Sequence, residues 1–124
     1  MKKENIIDLI KTFDDARKLT GRPDVPDFSN LPTDMRKHFE AQYKMIVIAE
    51  ALNEAWIPDW DNYNEYKYYP WFEMSPSSFA FYDSSYANAL AYAGSGSRLK
   101  FRTYELAEYA AKQFIDIWKD IQIA

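Results

Sequence analysis

The sequence predicts a single α+β domain, a three-stranded antiparallel sheet covered on one face by helices, in the order α-α-β-β-β-α. Three observations lead there. Three segments repeat apolar residues at helical spacing. Three short segments between the second and the last of these read as strands. Twelve of the 22 aromatic residues fall between Trp56 and Tyr86, a density that suits a small sheet or a contact surface. A length of 124 residues fits one domain, and a hydrophobic content of 48% can supply its core.

The first helix is predicted over Asn5 to Leu19, where Ile6, Leu9, Ile10, Phe13 and Ala16 draw one stripe. Gly21 follows as its stop. RPDVPDFSNLP then holds three prolines and no period, and reads as an extended linker. The second helix starts at Thr33 as N-cap and runs to about Asn53 or Trp56, ended by Pro58. Met35, Phe39, Tyr43, Ile46, Val47, Ala49 and Leu52 form its stripe, widened by Met45 and Ile48. The run MIVIAEAL is apolar nearly all round, so this is the expected central helix.

WIPDWDNYNEY is a loop by its Pro, Asp and Asn content. Tyr68 to Met74 is the first strand, confined by Pro70 to an edge or a bulge. Ser78 to Asp83 is the second, joined through the turn residues SPSS. Residues 84–96, rich in alanine, serine and glycine, read as a loop or an irregular strand. Ser97 to Arg102 alternates as the third strand: Leu99 and Phe101 inward, Arg98, Lys100 and Arg102 outward. Thr103 caps the last helix, whose stripe is Leu106, Ala110, Phe114, Ile117 and Ile121, with Ala107 and Trp118 beside it.

A net charge of −4 argues against a general nucleic-acid binder but leaves room for a local basic patch. The lack of cysteine removes disulfides, thiolate zinc sites and cysteine nucleophiles. MKKENIIDLIKTFDD is interrupted by charge and does not read as a signal peptide. No run approaches the roughly 20 apolar residues that span a bilayer. The expected setting is cytoplasmic, with no membrane partner.

Two groups of residues stand out as candidate binding elements. Arg98, Lys100 and Arg102 would form a cationic row on one sheet face, fit for phosphates or an acidic partner, or simply solvated and paired with Asp59, Asp61, Glu65 or Glu73. Trp60, Tyr63 and Tyr66 lie among acidic and amide residues and would form an amphipathic rim for partner contact, while other rings of the segment enter the core. In the strand, Trp71 and Phe72 face opposite sides, as do Tyr68 and Tyr69.

The chemistry-bearing inventory is thin. Asp59-Trp60-Asp61 opens like a calcium loop, but Tyr63, Asn64 and Pro70 stand where later ligands and the glycine are needed, so no metal site is expected. The single histidine, His38, has no nucleophile motif beside it. Glu50 and Glu54 are one helical turn apart and are the only basis for a carboxylate-dependent enzyme. No catalytic residue and no cofactor is expected.

Two blocks, AEALNEAWIPDWDNYNEYKYYPWF at 49–72 and SRLKFRTYELAEYAAKQF at 97–114, resemble a group of small uncharacterised proteins encoded in phages and prophages of gut bacteria and in their hosts' genomes. The resemblance implies an accessory or virion-associated role inside a bacterial cell, and carries no activity or cofactor with it. The leading expectation is a non-enzymatic protein that binds another protein, or itself, through the aromatic segment. A nucleic-acid-binding protein using the basic strand face is the alternative, and a small carboxylate-dependent enzyme the third.

Overall fold

The computed structural model describes residues 5–87 and 96–124. Its elements are α1 (Ile6–Leu9), α2 (Phe13–Thr20), α3 (Thr33–Leu52), β1 (Lys67–Glu73), β2 (Ala80–Ala87), a 3-10 turn (Ser97–Leu99), α4 (Tyr104–Gln113) and α5 (Ile115–Gln122). The α+β character holds, but among the described residues the sheet has two strands, not three, and the helices number five.

The expected third strand stops at a single bridge. Tyr68 and Phe101 exchange two backbone hydrogen bonds, of 3.0 and 2.7 Å. Extending that antiparallel ladder would next pair Leu99 with Pro70 and Thr103 with Tyr66. Pro70 has no N–H to offer. Thr103 is already turned over as the N-cap of α4, its side chain accepting from the Leu106 N–H. Ser97–Leu99 therefore coils into a 3-10 turn, and the inward-outward alternation fails with it.

The first predicted helix is two helices. Thr12 caps α2 with its hydroxyl on the Asp15 N–H, and Asp15 reaches back to the N–H groups of Lys11 and Thr12. This capping box restarts the helix after the extended Ile10. Gly21, at φ 75°, stops α2 as expected. The last predicted helix is also divided, at Phe114. There the Ala110 carbonyl accepts from both the Phe114 N–H and the buried Trp118 indole N–H.

The long helix runs as expected, although Pro32 and not Thr33 takes the N-cap position. Its buried line is Ala41, Met45, Ile48 and Leu52, with Val47, Ala49 and Ala51 beside it. Met35 and Phe39 are exposed and Ile46 is half-buried, so the core face is rotated from the expected stripe. Ile10, Ala16, Phe101, Leu106, Ala110, Phe114 and Trp118 complete the core around it. On the hairpin, Phe72 stacks on Phe79 with centroids 4.8 Å apart and lies 5.2 Å from Trp118. Trp71 points the other way and is exposed. Between Trp71 and Phe72 the register jumps from Asp83 to Phe81, which leaves the exposed Tyr82 as the extra residue of a bulge. Residues 84–87 of the expected irregular segment belong to β2, and the rest of it lies outside the described residues.

Candidate functional site

The loop before β1 is tied down by its own acidic and amide groups. Asp59 Oδ1 accepts from the Asp61 N–H and Asn62 Oδ1 from the Asn64 N–H, both at 3.0 Å. Glu65 takes the Asp59 N–H at 2.7 Å. Lys67 closes the loop from below. Its side chain is fully buried, and its ammonium donates to the carbonyls of Asn62 (3.1 Å) and Glu65 (2.9 Å). The Glu65 carboxylate lies 3.4 Å away, and the Trp60 ring 5.2 Å away. These bonds satisfy a charge that could not otherwise be buried. The two Asx turns engage Asp59 Oδ1 and Asn62 Oδ1, and among the described residues no three metal-ligating side chains gather.

This loop separates the three aromatic residues expected to act together. Trp60 is half-buried, its indole N–H donating to Ser97 Oγ at 2.7 Å, so it joins the loop to the 3-10 turn. Tyr63 is exposed at the loop tip. Tyr66 enters a tyrosine cluster that sequence spacing did not reveal. It stacks on Tyr86 at 4.3 Å with planes 20° apart, and Tyr68 packs edge-on against Tyr66, Tyr86 and Tyr104. Tyr68 is held by the bridge to Phe101, and the other three rings are exposed. Tyr104 donates its hydroxyl to Asp83 at 2.9 Å. That hydrogen bond, with some desolvation, pushes the Tyr104 phenol up to about 12. The cross-strand pair Tyr68↔Tyr86 was the one available signal, and it required the hairpin register.

The basic residues do not make a row. Arg98 is exposed on the 3-10 turn. Lys100 is 1% exposed, its ammonium 4.6 Å from the Tyr69 ring centre, and burial pushes its pKa down. Arg102 is exposed and paired with Glu54 at 2.9 Å. The acidic partners foreseen for them are not the ones used. Behind this segment stands Asn53, 4% exposed, whose amide donates to the Lys100 carbonyl (2.8 Å) and accepts from the Arg102 N–H (2.9 Å).

Glu50 and Glu54 are not a carboxylate pair either. Glu50 accepts two bonds from Arg22, at 2.8 and 3.1 Å, and Glu54 is held by Arg102. His38 lies edge-on to Phe39 beside α5. The helix end carrying the two glutamates is closed by a Schellman arrangement: Ala55 N–H to Glu50 O and Glu54 N–H to Ala51 O, both 3.1 Å. Glu54 and Ala55 hold φ of 52° and 65°, where glycine is the usual occupant. Beyond them a groove of about 390 Å³ opens between the end of α3, residues 55–58 and the 3-10 turn.

No helix among the described residues is long and apolar enough to cross a membrane. Neither a family model, nor a curated protein, nor a solved structure matches this chain.

Proposed function

We propose that this protein acts by binding another protein, or a second copy of itself, through the tyrosine cluster of Tyr66, Tyr86 and Tyr104, with Tyr63 at its margin. The observation that carries the reading is the exposure of three rings packed around the anchored Tyr68, two of them, Tyr66 and Tyr86, stacked on each other. Tyrosine offers large amphipathic area with few rotatable bonds, and rings already stacked lose little freedom on binding. Trp60 is a less suitable anchor than its sequence context implied, because Ser97 and Lys67 already engage it. The setting we propose is that of a phage or prophage accessory protein in the cytoplasm of a bacterial host. It rests on the resemblance at 49–72 and 97–114.

The test compares the wild-type chain with the double variant Tyr66→Ala/Tyr86→Ala. Sedimentation reads self-association, capture from host lysate reads partner binding, and a urea midpoint on the same samples reads folding. The reading expects an association that the double variant loses at a nearly unchanged midpoint. An association that survives the double substitution, or its absence from the wild-type chain in both assays, rejects it.

A further inference from the structure

The groove beyond α3 is independent of the tyrosine cluster. Its walls are apolar: Ile46 from α3, and Trp56, Ile57 and Pro58 from the following loop. Ile57 is 79% exposed, an unusual position for a large aliphatic side chain. The loop is held there by the two consecutive residues of positive φ, Glu54 and Ala55. Left-handed backbone in residues other than glycine is strained and tends to be kept where a site needs it.

The rim supplies charge. Of the five arginines, Arg17 pairs with Asp14, Arg22 with Glu50 and Arg102 with Glu54, while Arg36 donates to the carbonyls of Ser29 and Leu31. Arg98 alone has no protein partner for its guanidinium among the described residues. It lines this groove with Arg22 and Glu50, so the lining carries one net positive charge in a chain of net −4. A volume of about 390 Å³ is that of a small-molecule site. We propose that this groove binds a small organic acid, its apolar body between Trp56, Ile57 and Ile46 and its carboxylate on Arg98.

Guanidinium pairs a carboxylate through two parallel N–H bonds, which a neutral amide cannot replace. The probes are therefore isocaproate and its amide, with a short peptide ending in leucine as a third arm. Binding is followed by nuclear magnetic resonance of the indole N–H of Trp56 and the backbone N–H of Ile57. The expected result is a saturable shift with isocaproate, Kd on the order of 1 mM. The amide should bind about 10-fold more weakly. Arg98→Met should weaken isocaproate by the same factor, and Ile57→Asp should abolish binding. Both side chains are exposed, so both variants should fold. Lys18→Met, at an exposed cation that does not line the groove, should change nothing. Equal binding of acid and amide, an unaffected Arg98→Met, or no saturable shift with isocaproate overturns the proposal. Binding of the peptide but not of isocaproate also overturns it, because the site would then belong to a chain terminus.

Discussion

Asn53→Ala tests the joint between the helical layer and the hairpin. The side chain makes two hydrogen bonds to one segment, to the Lys100 carbonyl at 2.8 Å and from the Arg102 N–H at 2.9 Å. Truncation removes both bonds. The bond to the Lys100 carbonyl is buried, and losing a buried bond costs about 1–3 kcal/mol. The Arg102 side is only partly buried, and water can recover some of that bond, leaving about 1 kcal/mol. The expected loss is about 2–4 kcal/mol. With a urea slope of about 2 kcal/mol per molar, the midpoint should fall by about 1–2 M. Amide exchange at Arg102 should also accelerate. Asn62→Ala, which removes one exposed bond to the Asn64 N–H, is the matched control and should cost less than about 1 kcal/mol. If Asn53→Ala costs no more than Asn62→Ala, the clasp is not what holds residues 100–102 against α3.

Further predictions concern the core, the loop, the helix end and alkaline pH. Ile48→Ala should cost about 2–5 kcal/mol in urea titration, and the half-buried Ile46→Ala clearly less; the reverse order would place the core on the other face of α3. Trp60→Ala removes the indole bond to Ser97 and uncovers Lys67, and should lower stability by about 2 kcal/mol; an unchanged midpoint would return Trp60 to the contact surface. Ala55→Gly should raise stability by up to about 1 kcal/mol by relieving positive φ, whereas Ala55→Val should lower it. Tyr104 ionises near 10 in the unfolded chain and near 12 in the folded one. Its contribution is therefore whole below pH 10 and is lost as pH rises from about 10 to about 12. Tyr104→Phe should flatten that part of the pH–stability curve, and an identical curve for both proteins would remove the Asp83 bond as its cause.

Much of the local structure was legible in the chain because its causes are local. The apolar run ending at Leu52, the stop at Gly21 and the cap at Thr103 each depend on a few adjacent residues. The two hairpin strands, and the opposed faces of Trp71 and Phe72, follow from side-chain alternation. The break before α2 also has a local cause, the Thr12–Asp15 capping box, although the apolar stripe alone led to one unbroken helix over Asn5 to Leu19.

What the tertiary structure decided concerns pairs far apart in sequence. Alternation at Arg98–Arg102 satisfies a strand pattern, but pattern cannot say whether a neighbouring strand has N–H groups to offer. Here Asn53, 47 residues before Lys100, engages the backbone on the other side. Lys100 lies inside with its ammonium facing the Tyr69 ring, and Lys67 with two loop carbonyls turned toward it. The tyrosine cluster needs β1, β2 and α4 together, and the groove needs α3, its strained exit and the 3-10 turn. Periodicity determines which faces of an element can be buried, whereas the partner that buries them is set by long-range packing, so the long helix and the hairpin were readable along the chain, and the fate of the third strand and the sites were not.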